Sequence, residues 1–171
     1  ELDTLDNLFK WTLHAAAQAL NDSGYRGQPQ TLAKTGLLIG NIGMPTHSGK
    51  RLMSRFYHQM LTPYLRQLLG RDDFSFDRVW PEETLSDLNL ITGGHNATVA
   101  AQALGLQGPS YALDAACSSA FYAIKMASDY LASGKADMML AGAVCHADHI
   151  YIDHGFNVLQ AFPQQGQSIP F

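Results

Sequence analysis

Short apolar segments alternate with helical patterns along the chain, and this alternation constrains the fold more than any other feature. The segments 34–40, 110–115 and 137–144 are apolar almost throughout, without the polar alternation of a half-exposed strand. Such strands are typical of parallel sheets that are covered on both faces. Helices that could provide the cover are predicted at 2–22, at 99–104 with Asn96 as cap, and at 118–133 with Gly134 at its end. The pattern predicts an α/β protein with a mostly parallel sheet covered by helices.

Composition supports a compact domain and excludes several function classes. With 171 residues, of which 46% are hydrophobic and 15% charged, the chain can bury a sizeable core. A formal charge of −4 argues against a nucleic-acid partner. The apolar run 138–145 is too short to span a membrane, and the start of the chain does not resemble a secretion signal, so a cytoplasmic location is expected. The two cysteines, Cys117 and Cys145, are expected to be reduced.

Cys117 is the strongest candidate for a chemically active residue. It stands among small residues where the predicted strand 110–115 runs directly into the helix 118–133. A helix N-terminus favours the thiolate, and its free N–H groups can hold an oxyanion. This arrangement resembles the nucleophile elbow of hydrolases, with Asp114 and Ser118 expected to shape the turn. The alternative is that Cys117 is a small buried hydrophobic residue.

The residues around Cys117 resemble the active-site region of β-ketoacyl synthases. The resemblance rests on Asp114-Ala-Ala-Cys117-Ser-Ser-Ala, preceded by Gly108-Pro-Ser-Tyr and followed by Leu140-Ala-Gly142. It is most specific from Gly93 to Gly142 and extends to Ser168-Ile-Pro-Phe171. The segments 5–14 and 94–97 are similar to ketosynthases of bacterial polyunsaturated fatty acid synthases. The resemblance implies a thiolase-like layered fold, with residues 1–171 forming part of the N-terminal half, trimmed at both ends.

By this resemblance Cys117 would accept an acyl group from the phosphopantetheine thiol of an acyl carrier protein, without a further cofactor. Decarboxylative Claisen condensation with a malonyl thioester would follow. Ser118, Phe56 and Met60 would contact the substrate, although Phe56 and Met60 also fit an ordinary core or flap. The two catalytic histidine motifs of the family do not occur in this sequence, so full condensation by the fragment is not expected. The remainder of the ketosynthase domain would be a partner, and a homodimer would place 110–113 near its interface.

A basic cluster lies between Lys50 and Arg78, although the chain as a whole is acidic. Arg51 and Arg55 are the candidates for docking an acidic carrier protein, because complementary charge steers association. The alternative is that the cluster is simply a solvated helical face.

Three weaker motifs are assigned no function. The pattern Cys145-His146-x-x-His149 suggests zinc but matches no compact zinc motif, so no metal site is expected. Residues 43–50 resemble a phosphate loop with the wrong spacing and with Arg51 in the Ser/Thr place. His95 is expected to be a helix-entry residue.

Three other functions remain open at this point. A non-catalytic partner similar to a chain-length factor would use the same fold, although such proteins typically lack the cysteine. A thiolase would take an acyl-CoA substrate. A cysteine hydrolase would need a histidine within hydrogen-bonding reach of Cys117.

Overall fold

A parallel sheet of three strands forms the centre of the computed structural model, which describes residues 2–76, 84–91, 94–163 and 166. The strands are β1 (Thr35–Gly40), β2 (Ser110–Leu113) and β3 (Met138–Ala143), in the spatial order β2-β1-β3. All three predicted strands are therefore present, with their ends shortened. Arg78, Gly93 and the segment 168–171, which the sequence analysis named, lie outside the described residues.

Six α-helices accompany the strands in the described ranges. They are α1 (Asn7–Asp22), α2 (Pro29–Leu32), α3 (His47–Leu69), α4 (His95–Leu104), α5 (Ser119–Ala132) and α6 (His149–Val158). Short 3-10 helices span Leu2–Thr4, Asp87–Leu90 and Ala116–Ser118. Gly134 follows the end of α5 with a φ of +68°, as the sequence predicts for a helix terminus.

Helices cover the sheet on both faces, which confirms the predicted α/β class. Leu37 and Ile39 of β1 point into a core that includes residues of α1 and α4. Leu38 points to the opposite face, where it packs against Ala123 and Ala127 of α5. Because successive strand residues alternate between faces, β1 contributes to both cores and is buried along its whole length.

The first predicted helix, 2–22, is divided in the structure and differs in its buried face. A 3-10 turn ends at Thr4, and Asp6 then caps α1 by accepting a hydrogen bond from the Leu8 amide at 3.0 Å. Trp11 has helical spacing with the apolar residues Leu8 and Leu20, which predicts burial, but it is 48% exposed. Phe9 and Thr12 are buried instead. The Thr12 hydroxyl donates a hydrogen bond to the Leu8 carbonyl at 2.7 Å, and this bond allows the polar side chain to be buried.

The prediction that Asn96 caps α4 is wrong. The helix begins at His95 with Gly94 at the capping position. Asn96 lies inside the first turn, is buried, and donates a hydrogen bond from its amide nitrogen to the Thr12 hydroxyl at 3.1 Å. Its side chain therefore joins α4 to α1 instead of closing its own helix.

The long helix α3 is attached to the rest of the described chain mainly through its first turns. Gly49 and Leu52 are its buried residues, and Thr46 caps it by accepting a hydrogen bond from the Gly49 amide. Many of its large apolar side chains are exposed: Met53, Phe56, Tyr57, Met60, Leu61, Tyr64, Leu68 and Leu69. The C-terminal part of α3 therefore presents apolar surface instead of contributing to the core.

Candidate functional site

A cleft of about 330 Å³ opens at the carboxyl edge of the sheet. It is lined by the residues that follow each strand: Asn41 and Ile42 after β1, Ala116 and Cys117 after β2, and Val144 and Cys145 after β3. Ser119 and Ala120 of α5 form part of another wall. Carboxyl ends of parallel strands are where α/β proteins commonly bind ligands, and both cysteines of the chain are free and exposed here.

Cys117 lies in the turn that connects β2 to α5. The 3-10 turn Ala116–Ser118 follows β2, and α5 begins at the next residue. Ala116 has a φ of +50°, a left-handed conformation that is uncommon for a residue with a side chain. Such a conformation persists only when its surroundings hold it in place, and it is typical of functional turns. The structure thus places Cys117 in a sharp strand-to-helix turn with its side chain accessible from the cleft.

The carboxylate of Asp114 holds this turn against the segment that follows β1. One oxygen accepts a hydrogen bond from the Ala116 amide at 2.9 Å, and the other accepts from the Gly43 amide at 2.8 Å. Hydrogen bonds from the Gly43 and Ala116 backbones lower the pKa of Asp114 below its ordinary value, because they stabilise the ionised form. Asp114 therefore fixes two of the segments that line the cleft.

Ser119 was not singled out from the sequence, yet it stabilises the turn from inside. Its side chain is buried; the hydroxyl donates to the Ala116 carbonyl at 2.7 Å and accepts from the Ala115 amide at 2.9 Å. Ser118, which was expected to contact substrate, is exposed and does not line the cleft. The two serines are adjacent in sequence, and only the geometry of the turn decides which one points inward.

Gly40 at the end of β1 allows α5 to start directly above the sheet. A Cβ atom at this position would lie 2.6 Å from the Ser119 carbonyl carbon and 2.8 Å from the Ala120 amide nitrogen. Both of these are backbone atoms that a side-chain rotation cannot move. The absence of a side chain at Gly40 therefore sets how closely the turn with Cys117 approaches β1.

Phe56 and Met60 lie on α3, where they are 55% and 66% exposed, and they are not among the residues that line the cleft. Their expected contact with substrate stays a prediction. Arg51 and Arg55 lie in the second and third turns of the same helix, and Arg55 is exposed. Lys50, another member of the basic cluster, forms an ion pair with Asp148 at 2.6 Å.

The residues of the pattern Cys145-His146-x-x-His149 lie in different surroundings and do not converge on one point. His146 approaches Asp6 with 2.6 Å between its Nδ1 atom and the carboxylate, and its ring packs edge-to-face against Trp11. His149 is the first residue of α6. Within residues 2–76, 84–91, 94–163 and 166, no three metal-ligating side chains come together, and no histidine lines the cleft beside Cys117. Over the same residues, no helix is both long and apolar enough to cross a bilayer.

The chain thus has an α/β fold with helices on both faces of a parallel sheet, and a cysteine on a strained strand-to-helix turn at the carboxyl edge of that sheet. The whole chain, residues 1–171, matches the family model of the N-terminal domain of β-ketoacyl synthase. The chain therefore belongs to the β-ketoacyl synthase family.

Several known proteins similar to this chain are fatty acid or polyketide synthases. It is 29% identical over 175 residues to a polypeptide of the polyunsaturated fatty acid synthase of Thraustochytrium sp., covering 97% of this chain and 8% of that protein. It is 33% identical over 138 residues to a polypeptide of the phenolphthiocerol/phthiocerol polyketide synthase of Mycobacterium tuberculosis, covering 81% of this chain and 8% of the relative.

A solved structure of the PfaC keto synthase-chain length factor superimposes with a TM-score of 0.91 at 40% identity. The match covers 99% of this chain and 18% of that one. This similarity confirms the expected thiolase-like ketosynthase fold. The chain spans less than a fifth of the length of each of these relatives.

Proposed function

We propose that this chain is the acyl-accepting part of a β-ketoacyl-ACP synthase within a polyunsaturated fatty acid or polyketide synthase. The observation that carries the proposal is the position of Cys117 on a strained turn, exposed to a cleft at the N-terminus of α5. Residues 1–171 would then be part of the N-terminal ketosynthase domain, and the acyl group would arrive on the phosphopantetheine thiol of an acyl carrier protein.

The chemistry follows from the elbow. The Cys117 thiolate attacks the carbonyl carbon of the incoming thioester to form a tetrahedral oxyanion. Collapse of the oxyanion breaks the carbon–sulfur bond to the donor, which leaves as a thiolate and takes a proton from water. The dipole of the 14-residue helix α5 favours negative charge at its start. Amides at the start of a helix can donate to such an oxyanion, although those of Ser118 and Ser119 already donate to the Ala115 and Ala116 carbonyls. Asp114 and Ser119 act indirectly, because their hydrogen bonds hold the turn in shape.

Two surfaces support the proposed partners. The outer side of α5 exposes Phe121, Tyr122 and Ile124, with Phe121 74% exposed, which suits coverage by the remainder of a ketosynthase domain. β2 has a described neighbour on one side, β1, so its other edge suits pairing in a homodimer.

Intact-protein mass spectrometry after incubation with a fatty acyl thioester tests the proposal. We expect one acyl adduct on the wild-type chain, located on Cys117 by peptide mapping, and no adduct on Cys117→Ala. Cys145→Ala is the matched control, because it removes the other exposed thiol of the same cleft. Acylation of Cys145 alone, or of neither cysteine, would contradict the proposal.

Docking of the carrier protein through α3 is tested separately. Arg51→Glu and Arg55→Glu should slow acyl transfer from an acyl carrier protein but not from a small acyl thioester, because only the protein donor carries the complementary charge. Arg26→Glu, at an exposed arginine outside α3, serves as the control. Equal slowing with both donors would remove the docking role.

The condensation step is expected to be absent from the isolated chain. The histidine motifs that the family uses for malonyl decarboxylation do not occur in this sequence. Malonyl thioester should therefore lose carbon dioxide at the background rate in the presence of this chain. Turnover above background would show that these residues suffice for the second half-reaction.

A chain-length-factor-like role is the second candidate, because the similar solved structure is named for both a keto synthase and a chain length factor. The acylation experiment separates the two candidates. A non-catalytic partner would leave Cys117 unmodified by an acyl thioester while remaining folded.

A further inference from the structure

Cys145 is the second thiol of the cleft, and the acyl-transfer step does not use it. It follows β3, whereas Cys117 follows β2, so the two cysteines come from the strands on either side of β1. The Val144 amide donates to the Gly40 carbonyl at 2.9 Å, which holds the start of this segment against the end of β1. Gly40 is also the residue above which α5 begins. Both cysteines are thereby positioned by the same end of β1.

The alternation of β3 places Cys145 on the same face of the sheet as Cys117. Met139 packs in the core beneath α5, whereas Leu140 and Val144 pack in the core of α1 and α4. Continuing this alternation puts Cys145 on the α5 face and His146 on the other, where it contacts Asp6. The lining of the cleft includes Cys145 and the preceding Val144 but not His146.

The walls near Cys117 are made largely of small side chains. Ala116, Ala120 and Ala143 have only a methyl group as side chain, and Gly40 has no side chain. Two larger residues of the lining are Ile42 and Val144. Ile42 precedes Gly43, whose amide donates to Asp114, and Val144 packs into the core of α1 and α4. Cys145 is exposed and follows the strand, so its side chain can vary in size without disturbing the sheet.

We propose that Cys145 is a specificity-determining residue that limits the length of the acyl group carried by Cys117. The acyl chain extends from the Cys117 sulfur across the end of β1 towards Cys145, and the volume at position 145 sets how much chain the cleft accepts. This inference rests on the proposed acyl-accepting function. The size of the side chain matters here, whereas the reactivity of its sulfur does not.

The test is the rate of Cys117 acylation by acetyl-, hexanoyl- and decanoyl-CoA. Forcing extra carbon atoms into filled space costs roughly 1–3 kcal/mol, which corresponds to a loss of about fivefold to 150-fold in rate. Cys145→Phe should therefore slow acylation by the longer chains by about tenfold or more relative to acetyl. Cys145→Ala and Cys145→Ser should keep the wild-type profile or accept longer chains.

His149→Phe is the matched control, because it adds the same aromatic ring at an exposed position of the same segment outside the cleft. Circular dichroism verifies the fold, and Cys145→Leu replaces Cys145→Phe if the larger side chain prevents folding. An unchanged chain-length profile in the folded bulky variant, or equal slowing with acetyl, would overturn the inference. Failure of the wild-type chain to be acylated by any donor would instead refute the proposed function.

Discussion

Two carboxylates near the carboxyl edge of the sheet have the same chemistry but opposite environments. Asp114 is exposed and bonds two backbone amides, those of Gly43 and Ala116. Asp6 is 3% exposed and bonds groups from several parts of the chain. Its carboxylate accepts from the Leu8 amide at 3.0 Å and the Ser48 amide at 3.3 Å, and lies 2.6 Å from His146.

The backbone of Asp6 extends this cluster further. Its amide donates to Asn89 at 2.7 Å, and Asn89 in turn donates to the Thr4 carbonyl at 2.8 Å. Asp6 therefore connects the starts of α1 and α3 with the segment after β3. The difference between the two carboxylates is one of role: Asp6 stabilises the fold behind the cleft, whereas Asp114 shapes the turn that carries Cys117.

The largest effect is expected from Asp6→Ala. The substitution removes the cap of α1 and leaves several buried partners without their acceptor, which should lower the free energy of unfolding by about 3 kcal/mol. Urea denaturation followed by circular dichroism measures the change. Asp3→Ala removes an exposed carboxylate close by in the sequence and should change stability little. A loss below about 0.5 kcal/mol for Asp6→Ala would show that the buried cluster does not stabilise the fold.

The next largest effect is expected from Gly40→Ala, because this position affects both the stability of the fold and the shape of the turn that carries Cys117. The added methyl group would meet the backbone of Ser119 and Ala120, so α5 must move away from the sheet. We expect a loss of about 2 kcal/mol and a changed rate of Cys117 alkylation by iodoacetamide. Gly142→Ala on β3 is the control, since nothing lies within 4 Å of a Cβ at that position. Equal effects of both substitutions would contradict the close-approach argument.

Local patterns in the sequence predict the strands and the position of Cys117, because both depend on residues that are close together in the chain. The cluster at Asp6 could not be predicted in this way. Asp6 and Asn89 are 83 positions apart, and Asp6 and His146 are 140 positions apart. No periodicity links such residues, so only the packing of α1 against the sheet brings them together.

Small differences in helix phase and turn geometry limited the predictions near the site. Leu8, Ala16 and Leu20 are buried in α1, but Trp11, which shares their helical spacing, is exposed and Thr12 is buried instead. The misplaced Trp11 concerns orientation within a correctly predicted helix, because propensity identifies a helix more reliably than its buried side. At the turn, the sequence does not show that Ser119 points inward, whereas the structure has its hydroxyl donating to the Ala116 carbonyl; the contact of Ser118 with substrate stays a prediction.

Asp114→Asn should have a smaller effect on stability and a specific effect on the turn. The amide keeps one acceptor oxygen, so one of the two backbone hydrogen bonds is lost, at a cost of about 1 kcal/mol. The rate of Cys117 alkylation should change because Ala116 loses part of the support for its left-handed conformation. Alkylation of Cys145 in the same sample is the internal control. Parallel changes at both thiols would point to general loosening instead of a local role.

The smallest expected effect is the difference in acid sensitivity that the buried carboxylate produces. Burial raises the pKa of Asp6, but hydrogen bonds from Leu8, Ser48 and His146, together with the charge of His146, lower it below the ordinary value of 3.8. A carboxyl whose folded-state pKa lies below its unfolded-state pKa stabilises the fold fully above the unfolded value. This contribution is lost as the pH falls through the folded value.

Thermal unfolding measured from about pH 6 down to about pH 3 should therefore show a steeper loss of stability for the wild-type chain than for Asp6→Asn, which cannot titrate at this position. Asp114 keeps its own lowered pKa in both proteins, so its contribution cancels in the comparison. Identical slopes would mean that ionisation of Asp6 adds no net stability to the fold. A neutral side chain at this position would then stabilise the fold equally well.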